Sequence, residues 1–175
     1  MATIQDIRGV NNPQRAYEWE VKLYSTEIGS SEMNTLTQRA KSVSIPETSV
    51  DTIIINYKSR KAHYAGRSAS PSTVTIVFWD DEDHTVYNHF KQWMEEKLTK
   101  SEVGGGVEAD RYTSRMVIDM LKHDSQTSSG QFTLTRVFPI SIGDIQLSYD
   151  QSEHMEVSVT FSFDSNLIGD VYDRL

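Results

Sequence analysis

The sequence contains no cysteine in 175 residues. Disulfides, a thiolate nucleophile and Cys-based zinc sites are thereby excluded, and the composition fits synthesis in a reducing cytoplasm. No apolar run reaches membrane-spanning length, so no membrane insertion by helices is expected. The opening stretch MATIQDIRGVNNPQ has no positive-then-apolar signal pattern. Basic residues are also in deficit, 17 against 25 acids, for a formal net charge of −8. Chains that grip nucleic acid usually carry the opposite balance. The sign argues against tight DNA binding, but not against DNA passing nearby without sticking.

Catalytic and metal-binding patterns are missing as well. His63, His84, His89, His123 and His154 are scattered. His84 and His89 are five apart, about 140° around a helix, so they cannot share a metal as an i, i+4 pair can. Asp80–Asp83 lack the alternating ligands and glycine of a calcium loop. Gly104–Gly106 neither follow a strand nor open a helix, so they are no phosphate loop. No Gly-x-Ser-x-Gly elbow occurs. No acid, base and nucleophile can be assembled from these spacings, so no enzyme and no cofactor are expected.

What is present is ordinary for a globular chain: 37% hydrophobic and 24% charged residues. One domain is the default at this length. Most segments read as strands. Tyr17, Trp19, Val21 and Leu23 alternate with Glu18, Glu20 and Lys22. LTQRAKSVSIP is a weaker strand, ended by Pro46. VDTIIINYK is β-branched, and RKAHYAG follows closely enough to make a hairpin. STVTIVFW has apolar residues on both faces, as a central strand would. RMVIDMLKH and QFTLTRVFP are further strands. In MEVSVTFSFD, Met155, Val157, Val159, Phe161 and Phe163 face one way.

One segment changes period. From about 83 to 98, Val86, Phe90 and Trp93 recur at helical spacing, with Met94 beside them, predicting an amphipathic helix. Asp80 or Asp81 can cap it, and the acids at its start suit the dipole. Ser101–Ser114, with three glycines in a row, reads as a loop. FPISIGDIQLSYD reads as a turn at Pro139 and Gly143 feeding a strand through Ile145, Leu147 and Tyr149. Residues 165–175 read as a tail without period. Roughly nine strands and one helix, with no βαβ rhythm, predict a mainly β protein: an antiparallel sandwich or barrel with a flanking helix.

Charge is unevenly spread. From Ile53 to Val77 every formal charge is positive: Lys58, Arg60, Lys61 and Arg67. Asp80, Asp81, Glu82 and Asp83 follow directly, and the C-terminal third is acidic. Such asymmetry is either a solvated surface or a pair of complementary faces on a self-assembling subunit.

The order of these elements resembles a known family. A strand ending at Ile45-Pro46 leads into INYKSRKAHYAGRSA, then TVTIVFWDDED runs into a helix with FKQWM. A Gly-rich loop and FPISIGDIQLSYD follow, and then a final alternating strand. This is similar to the tail tube proteins of contractile-tailed, T-even-like bacteriophages, over about Tyr17–Asp164. The likeness rests most on Pro139, Ile142-Gly143-Asp144, Leu147 and the SYD after it. Asp80–Asp83 with Phe90 and Trp93, and Ala65-Gly66-Arg67, add to it.

The resemblance implies a single tail-tube domain over 1–175, with an N-terminal arm at 1–14, a body at 15–164 and a C-terminal tail. It implies stacked hexameric rings whose inner wall is a continuous β-barrel, a virion component assembled in the host cytoplasm. Implied partners are further copies, the tail sheath, baseplate and tape-measure proteins, with DNA passing through the lumen. Lys58, Arg60, Lys61, Tyr64 and Arg67 would then make inter-ring contacts, with Asp80–Asp83 as their acidic counterpart. Ile145, Leu147, Tyr149, Val157, Val159 and Phe161 would lie on strands that close the ring. A tube-initiating or tail-completion ring, the tube of a related injection system, and a small ligand- or nucleic-acid-binding β-barrel are the alternatives.

Overall fold

The computed structural model describes residues 14–24, 30–45, 49–69, 72–98, 108–123, 127–145 and 154–169. In chain order the elements are β1 (Trp19–Tyr24), α1 (Ser30–Arg39), β2 (Ala40–Val43), β3 (Ser49–Tyr57), β4 (Arg60–Ala69), β5 (Thr73–Trp79) and α2 (Thr85–Gln92). A π-helical stretch, Trp93–Leu98, continues α2. Then come α3 (Ala109–Tyr112), β6 (Ser114–Leu121), β7 (Ser128–Ile142), β8 (Glu156–Ser162) and β9 (Ser165–Gly169). The protein is mainly β, with antiparallel sheets and few helices, as the sequence predicts.

β7 organises the body. Its first part pairs with β6 on one edge and β9 on the other, and β1 adds to β6. Its last part, Phe138–Ile142, pairs with β8, which pairs with β5, which pairs with β2. Two four-stranded sheets thus share one long strand. β8 and β9 lie end to end along the same edge of β7: Phe138 opposes Ser162, and Thr135 opposes Ser165. The corner between them is marked by Arg136, whose φ of 53° is left-handed, beside a bulge in the β6–β7 pairing. Bulges bend strands in this way. Arg136 Nε lies 3.3 Å from Asp164 Oδ2, and the Asp164 N–H donates to the Thr135 carbonyl.

The core lies on the facing sides of the sheets. Val74, Ile76 and Phe78 of β5 register with Phe161, Val159 and Val157 of β8, and all six are buried. Val21, Leu23, Met116, Ile118 and Leu134 come from β1, β6 and β7. α2 completes the core: the Phe90 ring sits 5.2 Å from Phe78 and 5.5 Å from Phe161. Val86 and Trp93 are buried with it, while Met94 is half-buried.

Several expectations need correction. LTQRAKSVSIP is no single strand; α1 runs through Arg39, and only Ala40–Val43 is β. Tyr17 lies before β1 and is 71% exposed. Glu18 is buried instead of solvated, because Leu121 N–H pairs with its carbonyl and draws the segment onto β6. Pro139 is no turn: it is buried inside β7. Proline is tolerated at sheet edges, and among the described residues no strand covers the other edge of Phe138–Ile142. Ile145 follows β7 in irregular backbone, and Leu147 and Tyr149 lie outside the described residues. The expected tail begins with β9. Of the expected loop Ser101–Ser114, residues 101–107 lie outside the described residues; the rest is no loop, since α3 sits there and Trp93 Nε1 donates to the Tyr112 carbonyl at 2.9 Å.

Candidate assembly surfaces

β3 and β4 form a hairpin that belongs to neither sheet. Every residue from Ser49 to Ala65 is exposed. Such a ribbon cannot hide apolar side chains in its own fold, yet it carries many. Val50, Ile53, Ile54, Ile55, Tyr57 and Tyr64 are each at least half exposed. Register sorts them. Ile53 opposes Tyr64, Ile55 opposes Ala62 and Tyr57 opposes Arg60 on one face. Thr52 opposes Ala65, Ile54 opposes His63 and Asn56 opposes Lys61 on the other. Cross-strand pairs share a face, so the first face is the more apolar.

The predicted basic run is therefore split. Lys58 sits in the two-residue turn, with φ 52° and its ammonium 5.5 Å from the Tyr57 ring centroid. Arg60 ends the apolar face, Lys61 lies on the polar face, and Arg67 lies near the base beside a bulge. Gly66 is required there. A Cβ at this position would come within 2.9 Å of the Asp51 carbonyl oxygen. All five predicted contact residues, Lys58, Arg60, Lys61, Tyr64 and Arg67, are exposed on this one projection.

The predicted acidic counterpart is largely engaged elsewhere. The Asp80 side chain is fully buried, accepting from the N–H groups of Val86 at 2.9 Å and Tyr87 at 3.2 Å. It caps α2 from upstream, since the residue at the helix boundary, His84, is left-handed and makes no side-chain cap. Asp81 accepts from the Thr85 N–H and hydroxyl, each at 2.8 Å, and from Arg39 at 2.6 Å. The Arg39 hydrogen bond, then that of the Thr85 N–H, holds the Asp81 carboxyl well below the usual carboxylate range. Only Glu82 and Asp83 of the four are exposed.

β8 is interior to its sheet, paired on both edges. Val157, Val159 and Phe161 accordingly serve the core, and β8 has no edge to offer a neighbouring copy. The edges without a partner strand, among the described residues, are β1 and β9 in one sheet, and β2 and Phe138–Ile142 in the other.

The outward faces of the sheets differ. On the β1–β6–β7 sheet, Lys22 bridges Glu20 at 2.9 Å and Asp119 at 3.1 Å, and Gln131 donates to Asp119 at 3.0 Å. The Lys22 pKa is raised, first by the Glu20 hydrogen bond. Near the start of β1, Glu18 faces His123 Nδ1 at 3.1 Å and Arg15 at 3.7 Å. Beside it a groove of about 300 Å³ is lined by Trp19, Val43, Ile45, Ile118 and Met120. Sequence periodicity missed this corner because Glu18 sits in phase with the solvent-facing Glu20 and Lys22.

The family model for the phage tail tube protein matches residues 11–168. The chain belongs to the phage tail tube protein family. No curated protein matches the sequence. Among solved structures, the chain is similar to one in the tube-terminating cap of the anti-feeding prophage, with TM-score 0.65 and 15% identity, covering 98% of this chain and 100% of that one. It is similar to a chain of the sheath/tube terminator of the extracellular contractile injection system PVC, with TM-score 0.64 and 15% identity, covering 93% and 100%. For the SPP1 tail tube the values are 0.58 and 6%, covering 92% and 81%. At these identities the likeness shows the fold: this is a tail tube fold.

Proposed function

We propose that this tail tube family member assembles into hexameric rings that stack into a hollow conduit for DNA, inside a contractile sheath. The observation that carries the reading is the β3–β4 hairpin. It exposes Ile53, Ile55, Tyr57 and Tyr64 together on one face, with no element of its own chain against them among the described residues. Exposed apolar surface of this kind marks interaction sites, and a second copy is the partner that a tube supplies. Lys58, Arg60 and Lys61 at its far end would steer register, since charges at an interface set orientation more than strength. The sheath, baseplate and tape-measure proteins are the other partners under this reading. The protein would assemble in the host cytoplasm and end in the virion tail.

A second reading, a ring that starts or completes the tube, draws on the likeness to chains from terminator structures. Purified protein at rising concentration separates the two. Light scattering and negative-stain microscopy should show tubes for a main subunit and single rings for a ring that caps. A monomer at every concentration would overturn both.

A further inference from the structure

The β3–β4 hairpin is charged against the rest of the chain. Between Ser49 and Ala69 four bases, Lys58, Arg60, Lys61 and Arg67, stand against one acid, Asp51, for a net +3. The whole chain carries −8, so the remaining residues carry −11. Two free copies therefore repel body to body and hairpin to hairpin, and attract hairpin to body.

The hairpin needs such discrimination. A two-stranded ribbon pairs only one edge of each strand, and no further strand joins β3 or β4 among the described residues. Both outer edges keep unpaired N–H and C=O groups, a template for another chain. Within β3, Thr52–Tyr57 reads TIIINY, six residues with no charge, proline or glycine. All six are exposed. High β-propensity, low charge and exposure on an edge are the features that let a segment stack on copies of itself. β5 is equally apolar but carries no such hazard, because β2 and β8 pair with its two edges.

The bases stand where they oppose that stacking. Lys58 occupies the turn directly after Tyr57, its ammonium 5.5 Å from that ring centroid. Arg60 opposes Tyr57 and Lys61 opposes Asn56, so each face of the ribbon's tip carries a base. In an in-register stack, neighbouring strands lie about 4.8 Å apart. Each base would then meet its own counterpart well inside the Debye length of about 8 Å at physiological salt. The acidic body of a second copy presents no such barrier.

We propose that Thr52–Tyr57 is a self-association segment of the unassembled subunit, and that Lys58, Arg60 and Lys61 hold it back, leaving the hairpin free to join the body of a second copy but not another hairpin. This role is separate from the setting of register. It belongs to the free subunit, whether or not copies go on to form a tube.

Lys58→Gln with Arg60→Gln and Lys61→Gln removes the charge and keeps the side chains polar. Arg60→Gln with Lys61→Gln repeats the test should circular dichroism find the triple variant unfolded. Wild type and variant are incubated at equal concentration and followed by thioflavin T fluorescence, sedimentation and negative-stain microscopy. The variant is expected to become thioflavin-positive after a lag several-fold shorter than wild type, and its sediment should lack tubes. Ile54→Lys, added to the variant, puts a charge inside the segment on the polar face opposite His63. It should restore the wild-type lag. A variant with the same lag and solubility as wild type would overturn the proposal. So would sediment made of tubes, or aggregation that Ile54→Lys does not delay, which would place the adhesive surface outside β3.

Discussion

Arg39 Nη2 stands 2.6 Å from Asp81 Oδ2, tying the last turn of α1 to the entry of α2. The guanidinium also stacks over Trp79, 5.1 Å from its ring centroid. One side chain thus joins two helices and the end of β5. The Asp81 pKa is lowered from 3.8 by this contact and by Thr85. A carboxyl with a depressed folded pKa adds stability that is present above its unfolded value and lost as pH falls through the folded one. Arg39→Gln should therefore lower the melting temperature at pH 7. The gap from wild type should narrow as pH drops below 3.8, where Asp81 protonates in the unfolded chain. A gap that stays constant down to strongly acidic pH would show that the Asp81 pair is not how Arg39 stabilises the fold.

Asp80, whose Oδ1 also lies 3.9 Å from Arg39 Nη1, has a further role. Its carboxylate satisfies the N–H groups of Val86 and Tyr87, which the first helical turn cannot pair internally. Asp80→Ala should cost about 2 kcal/mol in urea unfolding, the upper end for a helix cap, because the site is buried. Asp80→Asn keeps the acceptor and should recover part of the loss. Equal losses for both variants would assign the effect to charge and not to capping.

Phe90 is the pivot of the core, in contact with Phe78 on β5 and Phe161 on β8, and stacked near Trp93. Phe90→Ala should destabilise by about 3–5 kcal/mol, the range for a buried aromatic truncated in a core. Met94 is half-buried, one step off that stripe. Met94→Ala should cost clearly less in the same assay, and equal costs would mean that Met94 is as deeply packed as Phe90.

The legible parts of the sequence were those where one local pattern settled the matter. β8 alternates without interruption, and α2 repeats Val86, Phe90 and Trp93 at helical spacing. The hairpin was legible because Ile53–Ile55 are β-branched and a tight turn follows them. α1 was not, because SSEMNTLTQR is polar and Leu36, the one buried hydrophobic among its described side chains, defines no stripe. Pro139 misled because proline usually ends strands; only the topology reveals that it sits on a free edge. The assembly surfaces were half legible. The sequence displays a basic run and an acidic run, but only the structure reveals that Asp80 and Asp81 are spent inside the subunit, whereas the bases stay exposed.

Gly66 links sequence to hairpin shape. Its α-carbon faces the Asp51 carbonyl so closely that a methyl group would stand 2.9 Å from backbone. Backbone cannot swing aside as a flexible side chain can. Gly66→Ala should leave the melting temperature of the body nearly unchanged, since the hairpin adds nothing to its core. It should distort the ribbon at its bulge and shorten or abolish tubes in negative stain. Normal tubes from this variant would mean that the hairpin's angle is unimportant to stacking.

The last prediction separates two forces at the hairpin. Lys58, Arg60 and Lys61 are solvent-exposed. Exposed ion pairs are worth at most about 1 kcal/mol each and are screened by salt. Ile53 and Tyr64 lie opposite each other on the apolar face, 55% and 56% exposed. Each is already almost half covered, so burying the remainder against a second copy is worth roughly half of the 1.5–3 kcal/mol of a full burial, and is indifferent to moderate salt. A ring repeats both kinds of contact in every subunit. The magnitudes favour the apolar face as the source of strength and the bases as a guide to register. Ile53→Ser with Tyr64→Ser should therefore abolish tubes at every salt concentration while the subunit stays folded by circular dichroism. Replacing Lys58, Arg60 and Lys61 by Glu should slow elongation at low salt, with the deficit shrinking as salt is raised. Exposed acids remain to repel the new glutamates, Glu82 and Asp83 among them. Should the triple variant fail as completely as the serine pair at high salt, charge would be the main bond between rings and the apolar face a lesser one.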